Sequence, residues 1–138
     1  VVLAGELLEE KTGIKVHILP MVSHEEMLKL HGRSRISIGL SITDAISTSL
    51  LEAMAMGSFP IQSSSSCADE WVRDGASALL VPPEDPDEIE KAIRKAITDD
   101  DLVDKASEIN FGTISKRADY HKLRKQTVSI YNELLMKI

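Results

Sequence analysis

Short apolar runs alternate with amphipathic stretches along the whole 138-residue chain. Residues 1–4 (Val-Val-Leu-Ala), before Gly5, read as the end of a buried strand, and 16–19 (Val-His-Ile-Leu), stopped by Pro20, as a second strand. Residues 36–40 and 59–62 predict a third and a fourth, and 78–81 a fifth, closed by Pro82 and Pro83. Leu7 and Leu8 suit a helical turn or two. Ser23-His24-Glu25-Glu26 is a capping box, with Ser23 as N-cap and Glu26 at the third helical position, for a helix ending at Gly32. Residues 68–73 look helical up to Asp74-Gly75. Asp85 caps another helix with Pro86 in its first position, and Ile89, Ala92, Ile93, Ala96 and Ile97 share one face. A further helix over 102–109 carries Val103, Ala106 and Ile109. The last, from about Ser115, aligns Tyr120, Leu123, Thr127, Tyr131, Leu134 and Leu135. Short apolar strands separated by helices predict an α/β fold: a Rossmann-like parallel sheet with helices on both faces.

The stretch 44–57 breaks the periodicity. Hydroxyl residues lead into a short, nearly all-apolar helical segment that stops at Gly57, and Glu52 is the only ionisable residue between Ala45 and Gln62. A helix apolar all round is usually buried, and a buried carboxylate is costly unless paired, so a polar partner is expected at Glu52. Doubly wound sheets bind ligands at the carboxyl ends of their strands, where Asp44, Ser47, Thr48 and Ser49 fall. The first N–H groups of a helix starting near Ser47 or Thr48 are free and its end is positive, which suits phosphate or diphosphate. Glu52 lies about 6 Å further along the axis. There it would repel a phosphate at contact distance but accept hydrogen bonds from neighbouring sugar hydroxyls. The residues thus point to a nucleotide or sugar-phosphate site. A plain N-cap at Ser-Thr-Ser and a solvated helical glutamate are the alternatives.

Composition narrows the partners. The chain is 43% hydrophobic and 28% charged, with a formal net charge of −6. That balance and a pI of about 5.2 argue against a general nucleic-acid binder. No apolar run approaches the roughly 20 residues that span a bilayer. No signal peptide is evident, and one cysteine, Cys67, forms no internal disulfide, which favours a cytoplasmic setting. His17, His24, His31 and His121 lack metal-ligand spacing, and no Gly-x-Ser-x-Gly elbow exists, so neither a metal site nor a serine hydrolase is expected. His24 reads as a first-turn surface residue and His31 as a helix-end residue. Trp71 reads as packing between helix and sheet. The basic cluster Lys116, Arg117, His121, Lys122, Arg124 and Lys125 reads as a solvated helix face, with contact to an anionic membrane surface as the other reading.

Three blocks carry a family resemblance. Asp44, seven residues, then Glu52-Ala53-Met54-Ala55-Met56-Gly57-Ser58-Phe59-Pro60 resembles an acidic residue, seven residues, then Glu-Ala-Met-Ala-x-Gly-x-Pro. Glu70-Trp71-Val72-Arg73-Asp74-Gly75 and Leu79-Leu80-Val81-Pro82-Pro83-Glu84-Asp85-Pro86 follow in the same order and spacing. Together they resemble the C-terminal, donor-binding domain of retaining GT-B glycosyltransferases (glycosyl transferases group 1, family 4-like), over essentially the whole chain.

The resemblance implies a hexosyltransferase-type parent, many of whose relatives are bacterial polysaccharide and glycolipid enzymes. Such enzymes move a sugar from a nucleotide diphosphate donor, such as a UDP- or GDP-sugar, to a glycan or lipid-linked acceptor with retention. No cofactor and no metal are implied. By resemblance, Glu52 holds the donor ribose and Asp44 lies near the transferred sugar, the pair being the catalytic acids. Ser47, Thr48 and Ser49 place N–H groups on the diphosphate, and Pro20, Met21 and Val22 lie against the base. Residues 1–138 then form one partial nucleotide-sugar-binding domain, truncated at its N-terminus, with 115–138 as C-terminal helix. The acceptor-binding N-terminal domain, and the Arg and Lys that neutralise the diphosphate, are expected upstream of Val1. The chain alone is therefore expected to lack transferase activity.

Three features depart from the family pattern. Asp44 stands where Glu is usual, Ala45-Ile46-Ser47 replaces Gly-x-Gly, and serines within 64–66 replace a glycine pair. Arg33 and Arg35 precede the third strand, at its far end from the site, and do not substitute for the absent cations. A non-catalytic α/β nucleotide-binding or protein-interaction module with a degraded site is the alternative function.

Overall fold

The computed structural model describes residues 2–136. Its sheet is built from β1 (Ile36–Gly39), β2 (Phe59–Ser63) and β3 (Leu79–Val81), all parallel, in the order β1-β2-β3. In chain order the helices are α1 (Val2–Thr12), α2 (His24–Arg33), α3 (Thr48–Met56), α4 (Pro86–Thr98), α5 (Asp100–Arg117) and α6 (Tyr120–Leu135), with a 3₁₀ turn at Cys67–Glu70.

Alternation along the strands sorts the core into two layers. Phe59, Ile61, Leu79 and Val81 meet Ala92 and Ala96 of α4 and Val103 and Ala106 of α5. On the opposite face Leu80 meets Leu50 and Met54 of α3, with Ala68, Val72 and Ala78. Helices therefore cover both faces, as a parallel sheet requires. All five residues of the central strand β2 are buried. Trp71 and Ile114 border the second layer, so α5 contributes to both.

Local chemistry sets the helix ends. Ser23 caps α2 by accepting the Glu26 N–H, as the capping box predicts, although α2 runs one residue past Gly32. Asp85 accepts from both Asp87 and Glu88 N–H, with Pro86 in the first turn of α4. Gly57 ends α3 in the left-handed region at φ 84°, which costs a glycine little.

The structure corrects several expectations. Residues 2–4 are not a strand but the first turn of α1, and Val1 lies outside the described residues. Residues 16–19 pair with no strand among the described residues, and the Val16 N–H is answered instead by the Glu9 carboxylate at 3.3 Å. A strand satisfies its backbone only through a neighbour, whereas a helix does so internally, so apolar character alone leaves the choice to tertiary context. Residues 68–73 yield only the single 3₁₀ turn. The helix expected over 102–109 extends over the whole of α5, and Ser115 lies inside it. The C-terminal helix starts at Tyr120, capped by Asp119 through the Lys122 N–H at 2.8 Å. Ile97, placed on the buried face of α4, is exposed, as are Tyr120, Leu123, Tyr131, Leu134 and Leu135 of α6.

Candidate functional site

The loop 40–47 leaves the carboxyl end of β1 and delivers the chain to α3. Ser47 is the N-cap of α3: it is extended, and its hydroxyl accepts the Leu50 N–H at 3.4 Å. Leu50 and Leu51 N–H also reach the Ser47 carbonyl, at 3.1 and 3.3 Å. The N–H groups of Thr48 and Ser49, the first two helical residues, have no carbonyl a turn below them. Both residues are exposed. The hydroxyl of Ser47 is thus committed to capping, and the helix N–H groups that it leaves free are those of Thr48 and Ser49.

Leu50, Ala53 and Met54 turn α3 inward. Glu52, on the opposite side of the helix, faces α2, whose Gly32 approaches the Met56 side chain there. This placement leaves the Glu52 side chain only 16% exposed, and the polar partner that its apolar surroundings call for is His24, with Nε2 2.8 Å from Glu52 Oε1. His24 is a surface residue of the first turn of α2, as its sequence position suggests, but it also makes this contact across 28 positions. Sequence reasoning missed the pairing because nothing in a capping box says which helix will lie beside it.

The same contact brings the turn before α2 toward Glu52. Pro20 and Met21 are exposed, Met21 almost completely. Val22 is half-buried and lines a shallow hollow of about 190 Å³ with Leu19 and with Glu26, Lys29, Leu30 and Arg33 of α2. Asp44 is half-buried in the loop after β1, and its carboxylate has no protein hydrogen-bond partner among the described residues. Its carbonyl accepts the Cys67 N–H at 3.3 Å.

The serine loop after β2 is a built structure. Ser65 donates its hydroxyl to the Ile42 carbonyl at 2.9 Å, Ser63 Oγ accepts the Ser65 N–H at 3.1 Å, and Ser66 Oγ donates to the Ser63 carbonyl. These bonds tie the loop after β2 to the loop carrying Asp44, a function that the run of serines did not reveal by itself. Gln62 lies against Gly39 of β1, where a Cβ would come within 2.8 Å of its Oε1.

Several other expectations find definite places. Arg35 is engaged at the opposite end of β1, donating from Nε to the Ala96 carbonyl and from Nη2 to Asp100 at 2.6 Å. His31 is buried at the end of α2, with Nδ1 3.1 Å from Ser37 Oγ. Trp71 packs on the α3 layer, and the Arg117 guanidinium stacks 4.0 Å above its ring while donating to the Glu70 carbonyl. Arg117 is thus still exposed, but its guanidinium is engaged by Trp71 and Glu70. Among the described residues, no helix is long and apolar enough to cross a membrane, and no three His, Cys, Asp or Glu side chains cluster as a metal site.

A parallel sheet covered on both faces, with a hydroxyl-capped helix N-terminus and a partly buried carboxylate in the loop after its first strand, defines a Rossmann-like α/β domain. The chain belongs to the glycosyl transferases group 1 family, whose model matches residues 2–111. Among solved structures it is similar to sucrose-phosphate synthase from Thermosynechococcus elongatus, with 20% identity and a TM-score of 0.88 over 99% of this chain and 34% of that one. It is also similar to HepE from Anabaena, solved in complex with UDP-glucose, at 18% identity and a TM-score of 0.82, covering 96% of this chain and 36% of that one. The C-terminal domain of a glycosyl transferase group 1 family protein, LpcC, from Francisella tularensis matches at 19% identity and a TM-score of 0.73, over 83% of this chain and 60% of that one. At such identities these likenesses establish the fold. The chain spans about a third of the length of the first two structures. Comparison with curated protein sequences gives no match.

Proposed function

We propose that this chain is the donor-binding domain of a glycosyltransferase that moves a hexosyl group from a nucleotide diphosphate sugar to a glycan or lipid-linked acceptor with retention of configuration. The observation that carries the reading is the meeting of the α3 N-terminus, Glu52 and the 20–24 turn, drawn together by the His24–Glu52 contact. The diphosphate lies at the Thr48 and Ser49 N–H groups, where the helix end is positive. Glu52 accepts from the ribose hydroxyls, and Pro20, Met21 and Val22 border the base. Asp44, on a loop held by Cys67 and Ser65, faces the transferred sugar. Catalysis in the assembled enzyme rests on positioning and on stabilising the departing diphosphate. HepE was solved with UDP-glucose, which supports a UDP-sugar as the first donor to try. The setting is the cytoplasm of a bacterium, with polysaccharide assembly as the process and the basic stretch near α6 meeting the inner face of the membrane.

Chemical-shift titration of the isotope-labelled chain with UDP, GDP and ADP tests the reading, because it detects even millimolar affinities. One nucleotide is expected to perturb Thr48 to Glu52 together with Met21 to His24. Glu52→Ala is expected to weaken binding about 10- to 100-fold, the worth of hydrogen bonds to a charged group. Absence of binding by all three, or perturbations confined to other surfaces, refutes it.

A further inference from the structure

Glu52 is an unusual ligand group because it is already bound. Its side chain is mostly covered, and its Oε1 is taken by His24 Nε2 at 2.8 Å, where the imidazole must be the donor because a carboxylate only accepts. Its Oε2 has no protein partner among the described residues, yet it is not sealed from solvent. His24 itself is held at the start of α2 by the Ser23 cap, and the ring reaches across to α3 from a side chain that is 72% exposed. The contact therefore fixes one carboxylate oxygen and leaves the other without a protein partner among the described residues and within reach of solvent.

We propose that His24 is a positioning residue for nucleotide binding. It holds the Glu52 carboxylate in one rotamer, with Oε2 presented to the vicinal hydroxyls of the nucleoside sugar. The inference rests on the nucleotide reading above and adds a residue that the acidic motif does not contain. Without His24, a glutamate with three rotatable torsions must be ordered when the ligand binds, at the usual entropic cost of immobilising such a side chain. With it, that ordering is present in the free protein. The ring acts only through Glu52, so its influence is confined to ligands that carry the sugar hydroxyls.

The test uses the full chain and the affinities of UDP, GDP and ADP, followed by the 2′,3′-dideoxy form of whichever binds. His24→Ala is expected to weaken the ribonucleotide about three- to tenfold and to leave the dideoxy form unchanged. His24→Gln, which keeps an N–H donor, is expected to retain most of the affinity. In a Glu52→Ala background, His24→Ala is expected to have no further effect. Equal losses for the two sugar forms, or a further loss in the Glu52→Ala background, give His24 a role other than positioning and overturn the proposal. Ribonucleotide binding that depends on Glu52 but ignores His24 overturns this proposal alone. Absence of all nucleotide binding removes the nucleotide reading, and this inference with it.

Discussion

Gly57 ends the helix that carries Glu52, and its replacement has a calculable cost. Its φ of 84° and ψ of 9° place it in the left-handed region, and its N–H closes the last turn on the Ala53 carbonyl. An alanine there suffers the clash of Cβ with the following carbonyl, about 1–2 kcal/mol. Its Cβ would also stand 3.3 Å from Ser107 Oγ of α5. Gly75 supplies the control: it has φ 70°, and a Cβ there would meet nothing within 4 Å, so Gly75→Ala carries the backbone cost alone. For 138 residues, an unfolding entropy of about 2.1 cal/mol/K per residue gives roughly 0.3 kcal/mol/K, so 1–2 kcal/mol lowers Tm by about 3–7 °C. Thermal and urea unfolding followed by circular dichroism should show Gly57→Ala falling at least as far as Gly75→Ala. Any excess should disappear when Ser107 is also alanine. A Gly57→Ala protein that melts within about 1 °C of the parent chain would refute the strain argument for this cap.

Phe59→Ala empties the centre of the sheet, where the side chain is 1% exposed, and should cost about 3–5 kcal/mol by urea unfolding. A loss below about 1 kcal/mol would mean that β2 is not the core strand. Asp85→Ala removes the acceptor for two N–H groups of α4 and should cost about 1 kcal/mol, whereas Asp85→Asn should restore most of it. Arg117→Ala removes both the guanidinium over Trp71 and a hydrogen bond to Glu70, worth about 1–2 kcal/mol together. Trp71 is the sole tryptophan, so its emission should shift in the same variant, and unchanged emission and stability would show the stacking to be inert.

Much of this architecture was legible in local chemistry. Ser23, Ser47 and Asp85 announce helix starts because a short polar side chain is the cheapest partner for an unsatisfied N–H. β1, β2 and β3 follow from apolar runs of strand length between turn residues, and Gly57 marks its helix end because few other residues adopt that conformation. The acidic pair and its following block were equally readable, and they led to the family to which the chain belongs. Glu52's need for a partner could be stated from its apolar neighbours alone.

Other features depended on what lies beside each segment. Residues 2–4 and 16–19 have strand composition, but without a ladder to join, one segment closed its hydrogen bonds as helix and the other formed no strand. Ser115 and Asp119 both resemble caps, and α5 runs through the first because Ile114 still has the α3 layer to pack against. The identity of Glu52's partner was likewise beyond sequence, since His24 lies 28 residues away and meets it only because α2 packs along α3. Sequence determined which groups were chemically incomplete: helix ends, a carboxylate among apolar residues, strands with one face to cover. The tertiary structure decided which neighbour completed each one, because hydrogen bonds and burial are satisfied between segments and carry no mark of their partner along the chain.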